Sequence, residues 1–344
     1  MPRDGQLALN TEYPEPNEEE LAGKIVASLR EVAAGKFLQG MTYRYPNTKS
    51  HAAVRAEFIV DPDLKEEFRI GVFRQPGRRY PAWMRFSSTL PQSLPDAVRD
   101  LRGIGLKLMG VEGPKLLPSD PNGANHDFTF ITPETFLART PEEFYEFACT
   151  GAMNERKTPG QLFKIMAFMF THPAILTTLL KYQIRIASLL EVKFFSSTPY
   201  LFGSRAVKYS LRPWLAPNTK IPPNASNNYL REDLVRKLRE AEVGFDFRIQ
   251  FQLDPYKQPI EDALVEWKEE DSPWHKIATL ILPRQDIDSP EQMLFCEHLT
   301  INPWRCLAEH RPLGGVNRVR RKIYYEGAVY RHKQNAVPIT EPKP

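Results

Sequence analysis

The chain has 344 residues, of which 42% are hydrophobic, so it can bury the core of one large domain or of two ordinary ones. A formal net charge of +4 excludes the concentrated basic excess that is typical of nucleic-acid-binding proteins. Three cysteines argue against a disulfide framework and for a reducing compartment, and no apolar signal segment follows Met1, so we expect a cytoplasmic protein.

The first 40 residues predict an arm followed by a helix. Residues 1–16 carry no periodic apolar pattern and indicate a flexible arm. From Asn17, which can cap a helix, three glutamates lead into apolar residues spaced three or four apart, and the pattern ends near Gly35. The apolar positions are Leu21, Ile25, Leu29 and Val32. This pattern favours an amphipathic helix that packs on the rest of the chain.

Seven later stretches favour β-strands, because apolar residues alternate with polar ones or cluster between turn residues. They are residues 55–61, 82–87, 104–109, 127–131, 203–211, 245–253 and 274–283. A charged helix is expected over 229–241, and FCEHLTINPW (295–304) indicates a strand that ends in a Pro-Trp turn. Many strands with one long helical interruption predict an α+β fold built on an antiparallel β-barrel of about eight strands.

The interruption covers residues 140–195 and reads as a helical insertion, with Pro159 and Pro173 as the breaks between three helices. Its apolar run is broken by Lys181 and Arg185, and each clean part is well short of the ~20 residues that span a bilayer. We therefore expect these helices to pack on the barrel without a transmembrane segment. Peripheral contact with a membrane, or an access route for a lipid substrate, is the alternative.

The segment HRPLGGVNRVRRKIYYEGAVYR (310–331) combines a turn with a basic, aromatic helix. Its Pro and Gly residues predict the turn, Asn317 can cap the helix, and from Val319 onward the residues favour helix. At helical spacing one stripe then contains Arg320, Tyr324, Gly327, Ala328 and Arg331. A guanidinium one turn from a phenol favours the ionised oxygen, and the small residues leave room for a flat ligand. A packed or solvated basic face is the alternative interpretation.

With its Arg-x-x-x-Tyr spacing, this segment resembles the proximal helix of catalases and of the smaller catalase-related haem proteins. The resemblance implies haem b, with Tyr324 as the axial ligand of the iron, Arg320 keeping that phenol ionised and Arg331 at a propionate. Arg321–Tyr325 fits the same spacing, but the distance from the HRPLGG turn favours Tyr324. The resemblance covers most of residues 42–332 and implies one haem-binding domain over 41–344, with the proximal helix at 310–332.

Three further stretches resemble the distal side of the same family. SHAAVRAEF (50–58) is similar to the distal-histidine strand, which implies that His51 is the acid–base above the haem. AWMRFSST (82–89) resembles the strand in which an arginine meets a propionate and a serine orients the histidine, here Arg85 and Ser87. In SDPNGANHDFTFITPETF (119–136) the family's distal asparagine falls on Ala124, so the neighbouring Asn125 is the candidate.

Ser50 bears on the substrate. Typical catalases have an apolar residue just before the distal histidine, whereas related enzymes that convert fatty-acid hydroperoxides, such as allene oxide synthases, have a hydroxyl donor there. The resemblance therefore implies a homo-oligomeric, haem-dependent enzyme acting on hydrogen peroxide or on organic and lipid hydroperoxides. The alternatives are an allene oxide synthase-like enzyme and a haem-binding protein without catalytic activity.

A metal site offers a competing interpretation. Cys296, His298, Cys306 and His310 provide four ligand-type side chains within fifteen residues. Their spacing matches no common zinc motif well, so the sequence favours iron in haem over zinc.

Overall fold

The computed structural model describes residues 6–34, 37–38, 41–90, 92–120, 122–151 and 157–343. Its strands are β1 (Phe37–Leu38), β2 (Met41–Thr42), β3 (Ser50–Val60), β4 (Arg79–Ser88), β5 (Arg102–Met109), β6 (Asn125–Ile131), β7 (Phe194–Phe195), β8 (Tyr200–Phe202), β9 (Arg205–Pro213), β10 (Val243–Phe251) and β11 (His275–Leu282). Its α-helices are α1 (Glu18–Ala34), α2 (Pro141–Cys149), α3 (Pro159–Thr171), α4 (Pro173–Tyr182), α5 (Tyr229–Glu240), α6 (Pro290–His298) and α7 (Gly315–Gln334).

Eight antiparallel strands form a closed barrel in the order β10, β11, β3, β4, β5, β6, β7 and β9, and pairing of β9 with β10 closes it. β8 pairs with the other side of β9, and β1 and β2 form a separate two-stranded pair. The α+β fold with a barrel of about eight strands is therefore confirmed.

The barrel is filled by aromatic and aliphatic side chains that alternate along its strands, as the two-residue repeat of a strand requires. Phe247 lies at the centre, with ring centroids 5.2 Å from both Phe58 and Phe128 and 5.6 Å from Phe73. Each of these rings is at most 1% exposed. Since buried aromatic side chains dominate core energetics, this cluster holds the strands in register and leaves the opposite side-chain positions free to face the flanking helices.

Helices α1 and α7 pack against each other beside the barrel. Ala22, Ile25, Val26 and Leu29 of α1 meet Val319 and Ile323 of α7 in one apolar cluster. The predicted first helix is thus confirmed, and its apolar stripe contacts the helix that carries the predicted proximal stripe.

Four details of the sequence interpretation need correction. The strand expected within 295–304 is replaced by the end of α6, because Ser289 caps that helix and Pro290 starts it. Helix α7 begins at Gly315, two residues before Asn317, which instead accepts and donates buried hydrogen bonds. Residues 6–16 of the arm are also held on the domain, since Asn10 bonds to Gln252 and Ala206. The breaks at Pro159 and Pro173 are confirmed, but α4 already ends at Tyr182.

Candidate functional site

A cavity of about 470 Å³ lies between the outer side of β4–β6 and helix α7. The α7 side of the lining consists of Arg320, Ile323, Tyr324, Gly327, Ala328 and Arg331. The barrel side includes Arg85, Ser87, Gly103, Gly105 and Thr129. The volume is in the range of sites for small molecules and cofactors, and the predicted stripe of α7 forms one whole wall of it.

Small residues give the cavity its shape. A side-chain carbon at Gly327 would meet nothing within 4 Å, so this position opens directly into space beside the helix. On the opposite wall, a side-chain carbon at Gly105 would come within 2.8 Å of Ile301. Glycine at 105 therefore permits Ile301 to pack against the strand, and glycine at 327 leaves room for a ligand that lies close to the helix backbone.

Arg320, which is buried, and Tyr324, which is half-buried, form a hydrogen-bonded pair on α7. Arg320 donates from Nη2 to the Tyr324 hydroxyl oxygen at 3.0 Å and to Thr129 at 3.1 Å, and from Nη1 to Asn317 at 2.9 Å. Burial acts to lower the pKa of Arg320, but the neighbouring phenols Tyr324 and Tyr200 outweigh it and raise that pKa. The guanidinium is thus permanently charged and fixed, with one N–H directed at the phenol oxygen.

The alternative motif frame lies elsewhere. Tyr325 is 40% exposed and is not among the residues that line the cavity. Arg321 is exposed, and its guanidinium lies over the Trp304 ring, 5.4 Å from the ring centroid. Of the two Arg-x-x-x-Tyr frames, the structure therefore brings Arg320 and Tyr324 to the cavity.

Three arginines line another part of the cavity, and we call Arg44, Arg85 and Arg331 the arginine cluster. Among the residues that the structure describes, Arg331 Nε and Nη2, Arg85 Nε and Arg44 Nε have no hydrogen-bond partner. Arg85 does donate to the Asn47 carbonyl at 3.1 Å and to Ser50. Buried N–H groups that remain unpaired cost free energy, so this cluster fits a ligand with acceptor atoms.

The charges of the cluster repel one another. Burial and then repulsion from Arg85 lower the pKa of Arg331 to about 10, although Glu297 opposes them. Burial, Arg85 and Arg331 likewise hold the pKa of Arg44 well below its usual value. Glu297, which is 6% exposed, is the carboxylate that opposes these effects at both arginines within the part of the chain that the structure describes. Three guanidiniums against one carboxylate leave an excess of positive charge that a dianionic ligand would neutralise.

The structure does not bring His51 and Ser87 together. A bulge between Ser50 and Ala52 pairs Ser50 with Ser87, and His51 turns to Ser88, with Nε2 3.0 Å from its hydroxyl oxygen. His51 is fully buried and does not line the cavity, whereas Ser87 does. The expected contact between Ser87 and His51 is therefore not formed, because one extra residue in a strand changes the face that a side chain occupies.

His51 belongs to a closed polar cluster at the barrel end. Its Nδ1 lies 4.0 Å from Asp96, which pairs with Lys49 at 2.6 Å, and Arg102 donates to the same Ser88 hydroxyl. Burial, Arg102 and Lys49 lower the pKa of His51 well below its ordinary value, so the ring is neutral. Serine, histidine and aspartate are the residue types of a hydrolytic triad, but His51 Nδ1 makes no hydrogen bond to Asp96 and all three groups are at most 3% exposed, so they do not form an active site.

Asn125 also lies away from the cavity. Its amide donates to Glu341 at 3.1 Å and to the Pro342 carbonyl at 3.2 Å, which ties β6 to the C-terminal segment. An amide that does line the cavity is that of Asn47, which has a positive φ of 64° in the turn before β3. Arg44, Asn47 and Thr129 are among the cavity residues that the sequence did not predict. For Arg44 and Asn47, the available indication was the turn signal at Tyr45-Pro46-Asn47.

The four ligand-type residues weighed for zinc have other contacts. His310 accepts from the Val72 amide at 3.1 Å and contacts the Tyr209 hydroxyl at 3.2 Å inside the barrel. The ring of His298 faces His332, 5.9 Å away, and Cys296 packs with Leu299 and Ile301. Within the described part of the chain, no three histidine, cysteine, aspartate or glutamate side chains are grouped so as to hold a metal ion.

The closed eight-stranded barrel with its flanking helices is a catalase-like fold. The chain is similar to a bacterial catalase, with a TM-score of 0.69 and 20% identity over 99% of this chain and 66% of that one. A fungal catalase matches with a TM-score of 0.69 and 17% identity, over 98% of this chain and 68% of the other. Catalase A from Saccharomyces cerevisiae matches with a TM-score of 0.70 and 16% identity, over 97% and 70%.

The chain thus spans about two thirds of the length of these catalases. No protein-family model matches the sequence, and no curated protein matches it either. At such low identities the structural likeness establishes the fold, and the chemistry has to be argued from the cavity itself.

Proposed function

We propose that this protein is a haem-dependent oxidoreductase that processes peroxides, with organic or lipid hydroperoxides favoured over rapid disproportionation of hydrogen peroxide. The observation that carries the proposal is one cavity with a guanidinium-bound phenol and a surplus of buried cations in its lining. Tyr324 and Arg320 supply the first feature, and the arginine cluster supplies the second.

The cavity residues fit haem b. Haem is a flat, mainly apolar ring with an iron at its centre and two propionates on one edge. Tyr324, held by Arg320, would bind the iron, while Arg85 and Arg331, together with Arg44, would hold the propionates. The open position at Gly327 leaves space beside the helix for the ring. When bound, haem would supply the iron-centred redox chemistry that cleaves an O–O bond.

The protein's own groups define what else the site can do. On the barrel side the polar groups of the lining include Asn47 and Ser87, which can donate hydrogen bonds to a peroxide oxygen. Among the described lining residues there is no histidine that could act as an acid–base. A site with hydrogen-bond donors but without such a base is better suited to one hydroperoxide than to two successive hydrogen peroxide molecules.

Conversion of a fatty-acid hydroperoxide, as in allene oxide synthases, is the second candidate. The supporting observation is the apolar end of the cavity, where Ile165, Met169 and Leu179 of the helical insertion form the lining. Ser50, at the position that separates the two substrate classes in the resemblance, bonds to Arg85 in the structure. A homo-oligomer, a cytoplasmic location and the alternative of a non-catalytic haem protein remain predictions.

Replacement of Tyr324 by phenylalanine tests the cofactor assignment. We expect the purified protein to take up one haem with a phenolate-to-iron absorption band. Tyr324→Phe should lose that band and bind haem about tenfold more weakly or worse, since a tenfold change in affinity is ~1.4 kcal/mol. Tyr325→Phe, one residue away and pointing to solvent, is the matched control and should leave the spectrum unchanged. If Tyr325→Phe removes the band while Tyr324→Phe keeps it, the assignment is wrong.

Replacement of His51 by alanine tests the barrel side. Because His51 does not line the cavity, haem-loaded His51→Ala should turn over cumene hydroperoxide and a fatty-acid hydroperoxide within about threefold of the parent, whereas removing a general acid–base costs about 100-fold or more. Initial rates with both substrates and with hydrogen peroxide give the comparison. A 100-fold loss of turnover with an unchanged haem spectrum would contradict this expectation and support the acid–base role of His51 that the family resemblance implies.

A further inference from the structure

Helices α3 and α4 of the insertion carry a contiguous set of exposed apolar side chains. Their largest exposed fractions are 88% for Phe170, 70% for Phe163, 69% for Leu180 and 64% for Met166. We define the apolar ridge as Leu162, Phe163, Met166, Phe170, Leu176, Leu180 and Ile184. Single exposed apolar residues are common on proteins, but seven within 23 positions of one insertion form a patch of the kind that binds a partner or a lipid surface.

A neighbouring side of the same two helices belongs to the cavity. Ile165, Met169 and Leu179 line it, together with Gln183 just after α4. At 3.6 residues per turn, these positions lie about a quarter turn from the apolar ridge. The helices are anchored by Phe168, whose ring stacks on His172 at 4.1 Å and contacts Phe147 at 5.8 Å. The pair therefore presents one side to the cavity and the apolar ridge on the side next to it.

The start of α3 is also well formed despite its exposure. Thr158 and Gln161 make a reciprocal capping box, and Pro159 occupies the first turn. These local contacts stabilise the helix without burial of its outer side, so the exposed residues are presented on a fixed surface.

The charge around the apolar ridge is one-sided. From Lys157 to Leu190 the sequence contains no aspartate or glutamate. It does contain Lys157, Lys164, Lys181 and Arg185. Lys181 pairs with Glu266 of a neighbouring loop at 2.8 Å, while Lys164 lies exposed between Phe163 and Met166. Two carboxylates beside these helices come from other elements, Glu146 of α2 at 3.6 Å from His172 and Glu266 at Lys181. Apolar side chains interspersed with cations on α3 and α4 complement the anionic headgroups of a membrane rather than a purely apolar protein surface.

Of the helices that the structure describes, none is by itself long and apolar enough to cross a bilayer. Helices α3 and α4 reach that length and composition as a pair, but they are bent by 100° at Pro173. A bent pair with one apolar side is suited to lie in the interface between headgroups and acyl chains.

We propose that the apolar ridge docks this protein on the surface of an anionic membrane, with α3 and α4 inserted at the headgroup boundary. Docking would place the apolar end of the cavity against the lipid. The docking depends on the surface of the insertion and not on the cofactor, whereas delivery of a lipid hydroperoxide from the membrane also rests on the proposed function.

Co-sedimentation with vesicles tests the docking. We expect the full chain to bind phosphatidylcholine vesicles containing one quarter phosphatidylserine and to bind pure phosphatidylcholine vesicles at least about tenfold more weakly. Salt should weaken the binding. The double variant Phe163→Glu/Phe170→Glu should bind anionic vesicles at least about tenfold more weakly than the parent, because both exposed rings leave the interface. Leu294→Glu on α6, at a residue that is 51% exposed, is the matched control and should bind like the parent.

Three outcomes would overturn the docking proposal. They are absence of binding by the parent to anionic vesicles, equal binding by the double variant, and an equal loss in Leu294→Glu. If the parent instead fails to bind vesicles and sediments as an oligomer that the double variant does not form, a second copy of the chain covers the apolar ridge, and the membrane proposal is wrong. Circular dichroism and haem uptake of the double variant show whether it folds. If the unaltered protein does not bind haem, the proposed function is contradicted, and the result with vesicles still tests the docking by itself.

Discussion

Replacement of Arg331 by methionine is expected to make the ligand-free protein more stable and to weaken its binding of a porphyrin dicarboxylate. Arg331 is 4% exposed and has two nitrogen atoms without a partner among the described residues. Burial lowers the pKa of Arg331 to about 10, so at neutral pH the side chain is charged in both states but its charge is less favourable in the folded than in the unfolded state. Methionine keeps most of the volume and removes the charge, so we expect about 1–3 kcal/mol of added stability in the apoprotein.

The binding measurement distinguishes the contribution of the ligand's charge from that of its shape. Protoporphyrin IX and its dimethyl ester differ in the two carboxylates. The parent should prefer the free acid by about 100-fold, and Arg331→Met should reduce that preference by about tenfold or more, because a buried charge pair loses one partner. Fluorescence titration gives both affinities, and urea denaturation of the apoprotein gives the stability.

Arg284→Met provides the control, since Arg284 is exposed on a loop and lies outside the cavity. It should change neither stability nor the preference for the free acid. The arginine cluster is not an anion site if Arg331→Met destabilises the apoprotein while the preference stays intact. Opposite signs for stability and binding are expected when a protein keeps unfavourable charges in place for a ligand.

The periodic parts of the molecule could be predicted from the sequence. The barrel strands follow from alternation, and the wall formed by Tyr324, Gly327 and Arg331 follows from a 3.6-residue repeat. The breaks at Pro159 and Pro173 follow from the missing amide hydrogen and fixed φ of proline. In each case a local property of the residue decides the structure, and tertiary contacts act in the same direction.

The non-periodic parts could not be predicted. A bulge of one residue at His51 changes the side that this ring faces, and the consecutive serines Ser87 and Ser88 offer a partner on either side. Arg44 and Asn47 reach the cavity from a turn, where spacing carries no information about direction. The strand expected over 295–304 is helical as far as His298, because the capping signal at Ser289 lies upstream of those residues and starts a helix that runs into them.

Asp127 is the centre of a buried ion network that fixes the segment leading to α7. Its carboxylate contacts Lys107 at 2.8 Å and Arg305 at 2.6 Å, and it accepts from the Asn302 amide at 2.8 Å. Glu341 meets the same two cations at 2.6 and 2.8 Å. The segment from Asn302 to Arg305 includes Trp304, whose indole donates to the Asn317 carbonyl at 2.9 Å in the first turns of α7. The network therefore fixes the approach to the helix that carries Tyr324.

Replacement of Asp127 by alanine is expected to lower stability by about 3–5 kcal/mol, because two buried cations lose the carboxylate that they share. Lys107 then keeps Glu341, and Arg305 keeps Glu341 and the partly exposed Asp120. The midpoint of urea denaturation measures the loss. Asp286→Ala is the control. Asp286 pairs with Arg239 on the surface with 63% of its side chain exposed, so its loss should leave the urea midpoint almost unchanged. Equal midpoints for the two variants would contradict the assigned role of the network.

The pH dependence of the same network has a definite sign. Burial acts to raise the pKa of the Glu341 carboxyl, but Lys107 and Arg305 outweigh it and hold that pKa below its ordinary value. A carboxyl with a lowered folded-state pKa contributes stability above its unfolded value of about 4.3 and loses that contribution as pH falls through the folded value. Glu341→Gln should therefore lower the urea midpoint at pH 7 and flatten its decline in acid.

Because Arg305 and Trp304 position α7, Asp127→Ala should also weaken haem uptake, whereas Asp286→Ala should leave it unchanged.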